Sequence, residues 1–177
     1  TIARGNADTV LAGATGTRLH PLRTVHVALQ EEIAQGDGDP AKLCRPFDLN
    51  RCGMVLGEGA GAVVVEELQL AQSRGVEILG EVVGFASSAV VDRSGTGNVG
   101  KALQNVMRQA LVKSGISVDE LGHINAHGLS TRAGDEQEAN AIEAVFGARR
   151  QPIPVTAVKS YMGNLGAAGG MVELIAS

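Results

Sequence analysis

One histidine lies in a setting that suits catalysis. His127 follows a short apolar run, within the stretch Asn-Ala-His-Gly-Leu-Ser-Thr at 125–131. Loops at strand ends are where α/β sheets place much of their chemistry, and an imidazole exchanges protons near neutral pH. The alternative is a histidine with a purely structural role. His20, His26 and His123 have no comparable setting.

A second candidate is the amide of Asn164. It lies in the small-residue stretch Gly-Asn-Leu-Gly-Ala-Ala-Gly-Gly at 163–170. Small side chains let a helix N-terminus approach a ligand carbonyl closely, and the amide would donate a hydrogen bond to a developing oxyanion. The alternative is a tight helix–helix contact through glycine and alanine.

Four further side chains accompany these two. Lys159 precedes the small-residue stretch, and Glu138 lies in the first turn of the helix predicted after His127. A buried Lys159–Glu138 pair would hold the two loops in register, whereas an exposed pair would contribute little. Ser130 and Thr131 offer hydroxyls to a ligand, or they cap their own backbone.

A glycine-rich motif is the remaining candidate. Gly95–Gly100 matches GxGxxG between a predicted strand and a predicted helix, the context of a dinucleotide site. The next strand, however, ends in His127-Gly128 and not in an acidic residue suited to a ribose. A simple turn is therefore the favoured interpretation.

The elements that must position these residues alternate between strand and helix. A capping box is predicted at Asp135 and Glu138, with Gly147 as the C-cap of the same helix. The alternation favours an α/β layered fold. Apolar periodicity predicts strands at 8–13, 62–67, 78–91, 124–126 and 154–158, and helices at 21–34, 68–74, 99–113, 135–146 and from 166.

Composition excludes several functional classes. The 177 residues are 44% hydrophobic and 19% charged, as in a globular protein of about one domain. The net charge of −4, without a basic cluster, argues against nucleic acid. No apolar stretch approaches the length of a membrane span. Cys44 and Cys52 form neither a disulfide framework nor a metal motif, so we expect a cytoplasmic protein without a metal.

Both ends of the sequence suggest a piece of a longer protein. Residues 1–5 lack Met and the pattern of a signal peptide, and the chain stops within the apolar stretch 171–177. We therefore expect further sequence on both sides.

Five motifs, in this order and at this spacing, resemble those of the β-ketoacyl synthases of fatty-acid and polyketide synthesis, members of the thiolase superfamily. The motifs are Arg45-Pro46-Phe47-Asp48 with Arg51, Gly57-Glu58-Gly59-Ala60-Gly61, the His127 stretch, Asp135 with Glu138, and Lys159-Ser160 followed by Gly163-Asn164 and Gly166-Ala167-Ala168-Gly169.

The resemblance implies a thiolase-like αβαβα sandwich of two related halves, incomplete in this chain. Residues 1–45 would be the end of the N-terminal half and residues 46–177 most of the C-terminal half. It also implies an acyltransferase that performs a decarboxylative Claisen condensation of an acyl thioester with malonyl-acyl carrier protein. No metal or redox cofactor is implied, since phosphopantetheine arrives on the carrier protein. Full-length chains are expected to form homodimers or heterodimers.

The resemblance also implies roles for single residues. His127 would assist decarboxylation and stabilise the enolate oxygen, Lys159 and Glu138 would form a buried supporting pair, and Thr131 would line the phosphopantetheine tunnel. Asn164 stands where elongating synthases carry a second histidine. The arrangement is similar to the Cys-His-Asn site of initiating synthases.

Two departures leave a second interpretation open. The nucleophilic cysteine of the family lies upstream of the strand at Asp8, and neither Cys44 nor Cys52 occupies its motif. Leu129 replaces the first threonine of the usual His-Gly-Thr-Ser-Thr. The alternative to a synthase is therefore a catalytically silent subunit, like a chain-length factor, that pairs with an active ketosynthase.

Overall fold

A computed structural model describes residues 1–177 as a mixed α/β structure. Short 3₁₀ turns join several of its elements. The strands are β1 (Thr9–Thr17), β2 (Glu58–Glu66), β3 (Ile124–Asn125) and β4 (Val155–Thr156), and the helices are α1 (Pro21–Gln30), α2 (Leu68–Ser73), α3 (Val99–Ser114), α4 (Arg132–Phe146), α5 (Lys159–Met162) and α6 (Gly169–Ala176).

Strands β1 and β2 form an antiparallel pair in which Thr9 faces Glu66 and Thr17 faces Glu58. One face of this pair packs on α6 and on the turn before it. A Cβ on Gly16 would overlap the Leu165 carbonyl. The absence of a side chain therefore lets the small-residue loop lie directly on the sheet.

Strands β3 and β4 form a short parallel pair, with Ile124 opposite Val155 and Asn125 opposite Thr156. Parallel strands bring their carboxyl ends to the same edge of a sheet. His127 follows β3 by two residues, and Lys159 follows β4 by three. This pair therefore delivers both side chains to one edge.

Two predicted helix boundaries are wrong. Helix α1 stops at Gln30, not at 34, because residues 32–34 pair with Met54: the Met54 amide donates to Glu32 O, and the Ala34 amide donates to Met54 O, both at 2.8 Å. Helix α4 begins at Arg132 with Thr131 as N-cap. Asp135 is therefore inside the helix and is not its cap.

The strand predicted at 78–91 is also wrong. This segment forms no strand, because no neighbouring strand of the chain pairs with its backbone. Part of it packs instead along α3, where a Cβ on Gly84 would lie 2.7 Å from Ala110 O. The apolar pattern of this segment therefore does not correspond to a strand.

Helix α3 is confirmed almost at its predicted bounds. Asn98 caps it by accepting from the Lys101 amide at 2.9 Å, and Gly115 ends it in a left-handed conformation. The glycine motif before it is a turn folded around Asp92, whose Oδ1 accepts from the amides of Ser94 and Thr96. The Lys101 amide, in the first turn of α3, is thus already bonded to Asn98 and is not free for a phosphate.

Only 20 of the 177 residues are buried, and most of them lie where α4, α5 and the small-residue loop meet residues 44–57. The outer face of the β1–β2 pair, with Leu11 opposite Val64, is exposed. The buried set contains as many as six polar or charged residues, which indicates a functional centre. No helix is both long and apolar enough to cross a membrane.

Candidate active site

The ring of His127 is held by a buried lysine. Lys159 Nζ lies 3.2 Å from His127 Nδ1, and Lys159 is 1% exposed. An ammonium group can only donate, so Nδ1 is the acceptor and the ring proton is on Nε2. The neutral imidazole therefore has one N–H donor left for a ligand.

Lys159 pairs with Glu173 of α6, and not with Glu138 as predicted. The expected Lys159–Glu138 pair is wrong, although both side chains are buried. Glu173 was missed as a site residue. Its signal was a lone acidic residue within the apolar stretch 171–176.

Glu138 instead holds the backbone of the histidine loop. Its Oε1 accepts from the His127 amide at 2.7 Å, and its Oε2 accepts from the Gly128 amide at 2.8 Å. Gly128 has a φ of 47°, and a Cβ there would lie 2.6 Å from the Ala157 side chain. The carboxylate thus fixes a turn that few residues other than glycine adopt.

The pKa of His127 is lowered from its ordinary value. Burial of part of the ring is the main cause, and the charge of Lys159 adds to it, while the carboxylates of Glu138, Glu173 and Asp135 oppose the shift. The residue keeps an exposed edge. The lowered pKa therefore leaves His127 neutral at physiological pH.

A second buried carboxylate, that of Asp135, joins two segments. It is 1% exposed and accepts from the amides of Phe47 at 2.8 Å and Ser130 at 3.0 Å. Phe47 and Ser130 are the two non-glycine residues with positive φ, at 63° and 67°. Such a conformation costs about 1–3 kcal/mol per residue. The charge-assisted bonds to Asp135 offset that cost.

The two predicted substrate hydroxyls differ. Ser130 is fully buried, and its Oγ accepts from the Arg45 amide at 3.1 Å, which leaves no surface with which to reach a ligand. The geometry therefore does not support substrate contact by Ser130. The Thr131 hydroxyl forms no hydrogen bond within the chain, and its substrate role stays a prediction. Thr131 O accepts from Arg51 Nε at 3.1 Å.

Asn164 is 6% exposed and is held mainly through its backbone. Its amide donates to Val55 O at 2.7 Å, and its carbonyl accepts from the Gly57 amide at 3.1 Å. Its Oδ1 accepts from the Gly166 amide at 3.0 Å, and its Nδ2 donates to Met54 Sδ at 3.2 Å. The side chain is thus fixed, although one of its partners is a weak acceptor.

Residues 44–57, here called the bridging segment, join the two loops. Cys44 Sγ donates to Lys159 O at 2.9 Å, and the Gly53 amide donates to Ser130 O at 3.0 Å. Further contacts run from Phe47 to Asp135 and from Met54, Val55 and Gly57 to Asn164. His127 and Asn164 make no hydrogen bond to each other, but this segment contacts both of the loops that carry them.

Comparison with known proteins assigns the family. A family model described as the C-terminal domain of beta-ketoacyl synthase matches residues 79–177, and the corresponding N-terminal domain model matches residues 1–71. The chain belongs to the β-ketoacyl synthase family. The predicted division of the chain into two thiolase-like halves, at residues 1–45 and 46–177, stays a prediction.

Two curated relatives match nearly the whole chain. The tetracenomycin polyketide synthase ketoacyl synthase alpha subunit of Streptomyces glaucescens is 37% identical over 176 residues, which are 99% of this chain and 41% of that protein. The 3-oxoacyl-[acyl-carrier-protein] synthase 2 of Rhizobium meliloti is 36% identical over 178 residues, 99% of this chain and 42% of that protein. The chain thus spans about two fifths of the length of these relatives.

A solved ketosynthase structure confirms the thiolase-like fold. It is a type II polyketide synthase ketosynthase, bound to a hexaketide and in complex with its acyl-carrier protein. Its TM-score is 0.88 at 33% identity, with 99% of this chain and 43% of that chain covered. The four strands of this chain are therefore matched by part of that ketosynthase structure.

Cys44 of this β-ketoacyl synthase chain does not have the environment of a nucleophile. Burial raises the pKa of the Cys44 thiol, and Asp135 adds to the rise, while a backbone hydrogen bond from Val55 and the charge of Lys159 oppose it. The thiol is a hydrogen-bond donor to Lys159 O. A nucleophilic cysteine needs a lowered pKa, so Cys44 is assigned a structural role.

Proposed function

We propose that the full-length protein is a β-ketoacyl-acyl-carrier-protein synthase-like acyltransferase, and that this chain supplies His127 and Asn164 to its active site. The observation that carries the proposal is the His127–Lys159 contact, since it leaves a neutral imidazole with an Nε2–H donor. A neutral donor stabilises a developing oxyanion without trapping it as a protonated product. Family membership supports the same chemistry.

The proposed reaction begins with decarboxylation of a malonyl thioester. The bond between C2 and the carboxylate carbon breaks, CO₂ leaves, and the electron pair passes to C2 and the thioester oxygen as an enolate. His127 Nε2–H and Asn164 Nδ2–H donate to that oxygen. C2 then bonds to the carbonyl carbon of the acyl thioester, whose sulfur leaves as a thiolate and takes up a proton.

We assign no residue of this chain as the one that carries the acyl group. The family resemblance implies a cysteine nucleophile, and neither Cys44 nor Cys52 is assigned that role. No metal or redox cofactor takes part in the proposed steps, because the electron pair comes from the bond to CO₂.

The proposed partners are acyl carrier protein and acyl thioesters. A similar ketosynthase has been solved in complex with its acyl-carrier protein. Phosphopantetheine would arrive on that carrier, with the unbonded Thr131 hydroxyl as one contact. A homodimer or heterodimer of full-length chains in the cytoplasm completes the proposal.

Release of CO₂ from malonyl-carrier protein by the full-length protein tests the proposal. Replacement of His127 by Ala should lower the rate about 10²–10³-fold, since it removes an oxyanion donor. His123→Ala, an exposed histidine before β3, is the matched control and should keep the rate. Unchanged turnover in His127→Ala would contradict the assignment.

The silent-subunit alternative predicts a different result in the same assay. The full-length protein would release no CO₂ alone, and a partner ketosynthase mixed with it would turn over without dependence on His127. That outcome would replace the synthase proposal with a chain-length-factor-like role.

A further inference from the structure

The orientation of the Asn164 amide is fixed by what its oxygen does. The Gly166 amide can only donate, so the group 3.0 Å away must be Oδ1. Nδ2 therefore faces the Met54 thioether, with Nδ2 to Sδ at 3.2 Å. Of the two N–H groups on Nδ2, the protein satisfies only the one that points to sulfur.

Met54 is itself held rigidly. It is 1% exposed, and its backbone is bonded on both sides, to Glu32 O and from the Ala34 amide. The sulfur thus has a fixed position relative to Asn164, whose backbone is bonded to the next residues of the same segment, Val55 and Gly57. Met54 is the residue of the bridging segment that reaches the reactive end of the amide.

We propose that Met54 is a positioning residue for the condensation. Its thioether orients the Asn164 side-chain amide, but binds it weakly enough that the amide still donates to the reacting oxygen. This inference rests on the proposed function. A thioether is a weak acceptor, so the amide retains most of its capacity to donate to an enolate. A buried amide without any partner would rotate or pay a desolvation cost, whereas a strong acceptor would compete with the substrate.

Two variants separate these properties of the side chain. Met54→Leu keeps nearly the volume and removes the acceptor, a kind of exchange that cores tolerate well. Met54→Gln replaces sulfur by a strong amide acceptor. Met107→Leu, on α3 and outside the site, is the matched control for the loss of a methionine. Each variant is made in the full-length protein, and its melting temperature is recorded.

The expected readout is a change in kcat with little change in KM for malonyl-carrier protein. Met54→Leu should lower kcat about three- to tenfold, the size of one weak hydrogen bond. Met54→Gln should lower kcat by at least as much, because its oxygen holds the amide. Met107→Leu should leave both constants unchanged.

A double-mutant comparison shows whether Met54 acts through Asn164. In an Asn164→Ala background, Met54→Leu should change kcat by less than about twofold, since the group it orients is gone. A role in packing alone would produce the same loss in both backgrounds.

The outcomes are distinct. Wild-type kcat in Met54→Leu, or an equal loss with and without Asn164, would overturn this inference and leave the proposed function standing. Absence of His127-dependent CO₂ release in the wild-type protein would overturn the proposed function, and the Met54 inference with it. A loss of kcat that Met54→Leu causes in the protein with Asn164, but not in the Asn164→Ala variant, supports the inference.

Discussion

The histidine loop and the asparagine loop are anchored by different kinds of bond. The His127 loop is tied by two buried carboxylates, those of Glu138 and Asp135, and by the Lys159 ammonium. The Asn164 loop is tied by neutral backbone bonds and by a thioether. Bonds to charged groups contribute about 1.5–3 kcal/mol each, and neutral ones about 0.5–1.5 kcal/mol. We therefore expect the first loop to be the more rigid, and its pH dependence to come from His127, whose pKa is lowered.

The largest expected effect on stability is at Glu138. Glu138→Gln replaces one carboxylate oxygen by an NH₂ group that faces a backbone N–H, so the free energy of unfolding should fall by about 2–4 kcal/mol. Urea unfolding of the full-length protein measures this. Glu143→Gln, at an exposed position of the same helix, is the control. A loss below about 1 kcal/mol would show that the carboxylate anchors are not what makes this loop rigid.

A smaller stability effect is expected in the other loop. Asn164→Ala removes two neutral hydrogen bonds and should lower the free energy of unfolding by about 1 kcal/mol, because the backbone bonds to Val55 and Gly57 remain. The same unfolding measurement compares it with Glu138→Gln. If Asn164→Ala is the more damaging of the two, the contrast between the loops is wrong.

The smallest expected effect is a shift in pH dependence. The lowered pKa of His127 predicts a rate of CO₂ release that is constant at neutral pH and falls only below the ordinary histidine pKa of about 6.5. Lys159→Gln keeps a donor for Nδ1 but removes the positive charge, while three carboxylates remain. The acid limb should therefore move to higher pH, and an unmoved limb would contradict the assigned contact.

The same pKa shift has a consequence for stability. Because the folded pKa of His127 lies below the unfolded value, its contribution is present above about pH 6.5 and is lost as the pH falls from there towards the folded pKa. No comparable titration is assigned to the Asn164 loop.

The placement of His127 and Asn164 was predictable because it depends on local pattern. A short strand followed by a loop identified His127, and a run of small residues identified Asn164. The α/β alternation and helix α3 followed from periodicity in the same way. These features are encoded within about a dozen neighbouring residues.

The partners of these residues were not predictable, because they are set by long-range packing. Lys159 pairs with Glu173 and not with Glu138 because α6, and not α4, presents its acidic residue to the ammonium. Asp135 resembled a helix cap in the sequence, yet its carboxylate accepts a hydrogen bond from the amide of the distant Phe47. Met54 carried no sequence signal, since a methionine usually fills gaps in a core.

The bridging segment also has a consequence for how the molecule folds. Its contacts join residues far apart in the chain: Cys44 and Lys159 are separated by 115 positions, Met54 and Asn164 by 110, and Phe47 and Asp135 by 88. Closing loops of this length costs chain entropy before the stabilising contacts form, whereas helices form locally and early. We therefore expect α3 and α4 to form first and the candidate active site to be among the last parts of the chain to become ordered.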